Sequence, residues 1–275
     1  CHAKEIGQGQ VQHYNRHLAE RPSRLLALEQ QLREAVEQNQ LVLHYQPQWD
    51  VRTNALTGLE ALVRWQHPQR GLLPPGEFIP FAESRGLIAL IGRWVMRAAC
   101  RQMRQWQSAG YAPVPVAVNM SALEFRQPNL LSQVQQILCE EKIDPQWLEI
   151  ELTESTLMRE TDSVLGTLQS LKRLGVRLAI DDFGTGYSSL SYLQDLDVDI
   201  LKIDKSFVDA LEYKNVTPHI IEMAKTLKLK MVAEGIETSK QEEWLRQHGV
   251  HYGQGWLYSK ALPKEDFLRW AEQHL

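Results

Sequence analysis

Two aspartates stand side by side at Asp181–Asp182, directly after the apolar run VRLAI. Similar short apolar runs carry Glu60, Asn119, Glu151 and Lys202 or are followed by Glu234 and Gln254. Any one of these residues reads equally well as a polar strand end that caps the next helix. Their recurrence after run upon run points to one shared site. Glu60, Glu151, Asp181, Asp182 and Glu234 would bring five carboxylates together, with Lys202 the single cation among them. Two unit charges about 4 Å apart repel by about 4 kcal/mol at an effective dielectric of about 20. Such a cluster must protonate or hold cations, and carboxylates with the Asn119 carbonyl suit Mg²⁺ or Mn²⁺ rather than zinc. Asp181 and Asp182 are placed to serve two ions, one carboxylate bridging while the other binds the second metal, an arrangement suited to in-line displacement at phosphorus.

Competing motifs are absent. The nine histidines contain neither HExxH nor another ligand spacing; His44 reads as structural and His67, before Pro68, as a loop residue. There is no GxSxG elbow and no GxxxxGK[ST] loop, and Gly184-Thr185-Gly186 lacks the lysine of a phosphate cradle.

Elements that alternate between strand and helix must position these residues. Apolar runs predict strands at 41–46, 57–64, 114–119, 147–152, 176–181, 199–203, 230–233 and 249–252. Amphipathic spacing predicts helices at 24–38 (capped by Ser23), 88–108, 129–141, 161–174, 216–228 and 238–247, with short ones near 188–194 and 205–212. Gly175 and Gly249 close two of them. Eight strands in this alternation favour an α/β fold, a modified (β/α)₈ TIM-like barrel with its chemistry at the C-terminal strand ends. Only a turn at Arg52–Asn54 separates the first two strands, so one antiparallel strand is expected at the start.

The 275 residues are 43% hydrophobic and 23% charged, enough for one substantial core. No apolar run approaches the roughly 20 residues of a spanning helix. Thirty basic against 34 acidic residues give a net charge of -4, so no global positive field gathers a polyanion, and neither DNA nor RNA is expected as a partner. Three cysteines outside any CxxC spacing fit a reducing, cytoplasmic compartment, with membrane anchoring of a longer parent left open.

The motifs also carry a resemblance. Glu60-Ala61-Leu62 within GLEALVRW resembles the signature of the EAL domain, the cyclic-di-GMP phosphodiesterase family. It is joined in order by LHYQPQ (from Leu43), GEFIPFAE (Gly76), VNMS (Val118), ELTES (Glu151), DDFGTGYSSL (Asp181), LKIDKSFV (Leu201), VAEGIE (Val232) and YGQGWLYSKAL (Tyr252), so the likeness spans about residues 25–272. It implies a first metal held by Glu60, Asn119, Glu151 and Asp181, and a second held by Asp181, Asp182 and Glu234. It implies catalytic roles for Glu60, Lys202 and Glu234, and substrate contacts from Gln46, the Leu62 backbone, Arg64 and Gln254. Glu154 is implied to anchor the loop after the fifth expected strand, and Glu237 to support the site. That loop, with Tyr187, Ser188 and Ser189, is implied to form a homodimer contact. The implied reaction is hydrolysis of cyclic di-GMP to linear pGpG. The alternatives from other classes are a catalytically silent cyclic-di-GMP receptor and an adaptor that works through protein contacts.

Residues 1–24 are polar and without hydrophobic periodicity, and read as a connector before a domain at 25–275. HAKEIGQGQVQHY resembles the closing helix and strand of a GGDEF-type domain, which implies an upstream GGDEF or sensory domain in the same parent chain.

Overall fold

The structure is a computed structural model that describes residues 16–157, 161–184, 190–211 and 216–274. In chain order its elements are α1 (Arg16–Glu37), β1 (Leu41–Asp50), β2 (Leu56–His67), β3 (Gly71–Leu73), α2 (Ile79–Ser84), α3 (Ile88–Ser108), β4 (Val116–Asn119), α4 (Ala122–Phe125), α5 (Leu130–Glu141), β5 (Leu148–Thr153) and α6 (Glu154–Leu157). They continue as α7 (Thr161–Leu174), β6 (Arg177–Phe183), α8 (Leu190–Asp195), β7 (Ile200–Ile203), α9 (Lys205–Asp209), α10 (Thr217–Thr226), β8 (Lys230–Ala233), α11 (Ser239–Gln247), β9 (Tyr252–Gly253), β10 (Leu262–Pro263) and α12 (Lys264–His274).

Strand pairing in the order β1-β9-β8-β7-β6-β5-β4-β2, with β2 returning to β1, closes a barrel of eight strands. β2 and the strands from β4 to β9 pair in parallel, while β1 is antiparallel to both β2 and β9. This is the modified (β/α)₈ barrel expected, with its one reversed strand. β3 extends β2 as a hairpin and β10 adds to the edge of β1; neither was foreseen, since two or three residues carry no readable period.

Period-two alternation explains the two faces of the wall. On β5, Leu148, Ile150 and Leu152 are buried in the large core beneath the surrounding helices. Glu149 and Glu151 therefore face the barrel interior. The register places Ala117 beside Glu60 and Glu149, and Asn119 beside Glu151. The inner apolar cluster is small, made of Ala179, Ile200 and Val232 with Tyr252 packed against it. Little inside the barrel is apolar, so the polar layer above governs its interior.

Three sequence expectations need correction. The first helix starts at Arg16, not at a Ser23 cap, because the preceding RHLAE is rich in helix formers that extend it backwards. His67 is not a loop residue: it is buried at the end of β2, and its Nδ1 accepts the backbone N–H groups of Gln69 and Arg70. The extended backbone favoured before Pro68 keeps it in the strand. The last barrel strand is also shorter than expected, Tyr252–Gly253. Gly249 stands at φ 83°, and the His251 carbonyl bonds Val51 N outside the strand ladder. Among the described residues no helix is long and apolar enough to cross a membrane.

A capping box fixes the chain just beyond Asn119. Ser121 accepts the Glu124 N–H at 3.3 Å and Glu124 Oε2 accepts the Ser121 N–H at 2.9 Å. Glu124 is buried against Gly92, where an added Cβ would lie 1.4 Å from Glu124 Oε1. Burial pushes this carboxyl from 4.5 up to about 7, although the Ser121 hydrogen bonds pull it down. The folded chain thus keeps a proton that the unfolded chain releases, and stability falls as pH rises through that window. Glu124→Gln keeps the box and removes the titration. In urea denaturation, its stability relative to wild type should rise by about 2–3 kcal/mol between about pH 4.5 and about pH 8. A constant difference across that range would contradict this account.

Candidate active site

Lys202 is the centre of the barrel mouth. It is an inward residue of β7 with no solvent exposure. Its Nζ lies 2.7 Å from Glu234 Oε1, 2.8 Å from Glu151 Oε2, 3.4 Å from Asp181 Oδ1 and 3.5 Å from Glu60 Oε2. Each carboxylate comes from a different strand or its C-terminal end, so the barrel closure itself assembles the cluster. Glu60 is held further by Asn119 Nδ2 at 2.7 Å and Gln254 Nε2 at 2.6 Å. Gln254 also donates to Gln46 Oε1 at 3.1 Å.

Adjacent strand residues normally point to opposite faces, yet both aspartates reach the mouth. The cause is a break in the β6–β7 register between Ile180 and Phe183, with Asp182 at φ 53°. The irregularity re-aims a side chain, and aspartate tolerates the left-handed region better than most residues. Carboxylate oxygens of Asp181, Asp182 and Glu234 consequently lie within 4.8 Å of one another.

The electrostatics follow from burial. Burial pushes Glu60 up, but the Lys202 charge and the hydrogen bonds from Gln254 and Asn119 outweigh it and hold Glu60 below the ordinary range. Glu151 is driven well upward by burial and by the Glu60 charge. Burial raises Glu234 to about 7 against the pull of Lys202, and burial with the Asp181 charge raises Asp182. Lys202 is itself held well above its ordinary value: desolvation opposes its charge, but Glu151, Glu234, Glu60 and Asp181 prevail. One ammonium does not satisfy this many carboxylates. Glu151 Oε1 is buried with no hydrogen-bond donor among the described residues. An all-oxygen donor set with an orphaned carboxylate oxygen fits a hard divalent cation.

The remaining sequence candidates have definite places. Arg64 stands four residues along β2 from Glu60, half-buried, and donates to the Val63 carbonyl at 2.9 Å. Leu62 pairs with His44 on β1 and Gln46 pairs with Glu60. Glu154 Oε2 accepts the Gly184 N–H at 2.9 Å, joining the end of β5 to the start of the segment after β6. Glu237 Oε1 accepts from Lys205 Nζ at 2.7 Å. Tyr187, Ser188 and Ser189 lie outside the described residues.

Sequence reading missed Gln48, which donates to Gln254 Oε1 at 3.1 Å, and Glu149, buried one layer below Glu151 and pushed by burial to about 7. The signal was there, since each stands two residues from a recognised site residue and shares its face. Lys205 was also missed, and no short-range pattern would have paired it with Glu237.

The sequence profile of the EAL domain matches residues 29–261. The chain belongs to the EAL domain family. It is 52% identical over 244 residues to a protein of Escherichia coli K12 named probable cyclic di-GMP phosphodiesterase PdeB, covering 89% of this chain and 47% of that protein. It is 43% identical over 271 residues to MucR of Pseudomonas aeruginosa, named a bifunctional diguanylate cyclase/cyclic di-GMP phosphodiesterase, covering 97% of this chain and 40% of MucR. The chain thus spans about half, or less, of the length of these curated relatives. A solved structure of the PaMucR phosphodiesterase in complex with c-di-GMP superposes with a TM-score of 0.84 at 45% identity, covering 88% of this chain and 99% of that one. The EAL domain of Mycobacterium smegmatis DcpA gives a TM-score of 0.74 at 33% identity, with 85% and 98% coverage.

The EAL motif thus supplies the Glu60 end of a cluster whose charge balance rests on Lys202. Lys202→Met leaves the carboxylates without their counter-charge. Chemical denaturation at neutral pH in EDTA should show a loss of about 3–5 kcal/mol, and an unchanged midpoint would contradict the assignment.

Proposed function

We propose that this chain hydrolyses one phosphodiester bond of cyclic di-GMP to linear pGpG, using two divalent ions, Mg²⁺ or Mn²⁺. The observation that carries the reading is the convergence of Asp181, Asp182 and Glu234 oxygens within 4.8 Å beside the buried Lys202, in a member of the EAL domain family. The 52% identity to a relative named a cyclic di-GMP phosphodiesterase supports the substrate.

Glu60, Asn119, Glu151 and Asp181 would hold one ion; Asp181, Asp182 and Glu234 would hold the other. Two dications supply a lowered pKa for water and positive charge at the phosphate. The chain's own residues do the rest. Lys202 Nζ, fixed against four carboxylates, holds positive charge at the floor of the mouth and orients Glu234. Glu234 Oε1, 2.7 Å from Lys202 Nζ and grouped with the Asp181 and Asp182 oxygens, is suited by position to take the proton that water loses as it attacks phosphorus. As the new P–O bond to water forms, the P–O3′ bond breaks, and the departing oxygen becomes a hydroxyl by taking a proton from solvent water at the mouth. Arg64 offers a two-pronged donor to a substrate phosphate, while Gln46, Gln254 and the Leu62 backbone line the approach. Glu154, through Gly184, braces the end of β6 that carries Asp182, and Glu237, through Lys205, braces the segment after β8 that carries Glu234.

The same reading places the domain in the cytoplasm, as a homodimer joined through the segment after β6. It makes residues 1–24 the tail of an upstream GGDEF-type domain, in keeping with the bifunctional name of MucR and the 40% of its length matched here.

Incubation with cyclic di-GMP and Mg²⁺ or Mn²⁺ should yield pGpG, and EDTA should stop it. Tight binding with no metal-dependent product would sink the reading in favour of a silent receptor. Glu60→Ala should reduce turnover about 100- to 1,000-fold, the range seen when an essential electrostatic group is removed; near-normal hydrolysis would show the ligand assignment to be wrong.

A further inference from the structure

We propose that the outer wall of the barrel carries a second ligand site, a cleft between α3 and the start of α12 that takes an organic phosphate with an apolar ring body. The strand order creates the space. β1 runs directly into β2 through the turn after Asp50, so no crossover helix covers that pair from outside. Between α3 and α12 lies a cavity of about 570 Å³, within the range of small-molecule sites. None of the residues assigned to the metals or to cyclic di-GMP lines it.

One stripe of α3 faces the cleft, made of Trp94, Arg97, Ala98, Arg101, Gln102 and Gln105 at helical spacing. Leu41, Leu43 and Leu72 supply an apolar bed. Against that bed the polar groups are unmatched. Gln102 is only 9% exposed, yet its carboxamide has no hydrogen-bond partner among the described residues. Arg97 gives Nη2 to Glu140 at 2.7 Å, while its Nε is buried without an acceptor among the described residues. Leaving such groups unpaired is costly, and a ligand that accepts from them recovers the loss. Of the charged groups on the lining, Arg97, Arg101 and Lys264 stand against Glu265 alone, because Glu140 and Glu141, which pair with the two arginines, sit on α5. Lys264 Nζ lies 3.6 Å from Glu265 Oε1.

The backbone adds donors. Gln66 N bonds Gln40 O at 2.7 Å, which sets the phase of the β1–β2 ladder: Val42 and His44 turn their backbone groups to β2, and Leu41 and Leu43 turn theirs to the cleft. β10 pairs only with His44 and Tyr45, so the Leu43 N–H has no strand partner. The eleven-residue α12 begins on the cleft wall, where Pro263, Lys264 and Glu265 line it. Pro263 has no side-chain acceptor to cap the first N–H groups of that helix, and a helix start favours an anion. A surplus of donors that includes an arginine and a helix start suits phosphate, and the leucine bed beside Trp94 suits a ring.

The probe is 1-naphthyl phosphate, titrated calorimetrically into the chain in EDTA, with inorganic phosphate and 1-naphthol separating headgroup from ring. One 1-naphthyl phosphate should bind per chain, and each fragment should bind at least about tenfold more weakly. Gln102→Leu removes an unbonded amide, so its melting temperature should equal or exceed that of wild type while its affinity for 1-naphthyl phosphate falls roughly tenfold. Ala98→Phe fills the cleft and should abolish binding. Arg64→Ala alters the barrel mouth and should leave the affinity within about twofold. No binding by the wild-type chain, unchanged affinity in either Gln102→Leu or Ala98→Phe, or loss of binding in Arg64→Ala would each overturn the proposal. The outcome does not depend on whether the mouth hydrolyses cyclic di-GMP.

Discussion

A single ammonium buried among carboxylates sets the terms for the rest of this molecule. Lys202 has no solvent exposure, and an isolated ion so placed would be prohibitively unfavourable. It persists because Glu60, Glu151, Asp181 and Glu234 surround it at 2.7–3.5 Å, and they in turn approach one another because it is there. Every one of these groups projects inward from a different strand or its C-terminal end, so the cluster exists only if the barrel closes in the right register. The balance is still incomplete: Glu151 has an orphaned oxygen, and Asp182 joins the four carboxyls already grouped around the one lysine. The net charge of -4 therefore has a local meaning, since part of the acidity is gathered where cations can be held.

The second constraint is local and geometric. Strict strand alternation would send one of the adjacent aspartates out of the mouth, and the register break on β6 with Asp182 in the left-handed region prevents it. Backbone strain of this kind persists where the surroundings over-determine it. Here Glu154 holds Gly184 just beyond the break, so a carboxylate at the end of one strand braces the irregular end of its neighbour. The polar ring from Gln46 through Gln254 and Asn119 to Glu60 does the same for the side chains, leaving the site largely preorganised.

Much of this was legible in the sequence because the relevant periods are short. Alternating strands and helices gave the barrel, and the turn at Arg52–Asn54 gave the reversed first strand. Reactive residue types at the strand ends gave the cluster. Glu149 and Gln48 were legible in principle, each lying on the same face as a recognised neighbour two residues away. What escaped notice depends on three-dimensional closure: the Lys205–Glu237 pair and the orphaned oxygen on Glu151 involve partners that no local pattern brings together, whereas the Glu154 anchor was implied by the resemblance and only its Gly184 partner is added by the structure. The early start of α1 was missed for a different reason, because a proline and a good cap at Pro22–Ser23 outweighed the helix-forming residues before them in a purely local reading.

The central claim is that the carboxylate excess around Lys202 is balanced by divalent ions held on this chain's own side chains. Titration of the metal-stripped chain with Mn²⁺, with free ion counted by electron paramagnetic resonance, tests it without reference to turnover. The account predicts two bound Mn²⁺ per chain, with Asp182→Asn reducing the number to one while the fold is retained. Saturation with no ion bound, or two ions still bound after Asp181 and Asp182 are both changed to asparagine, would contradict it.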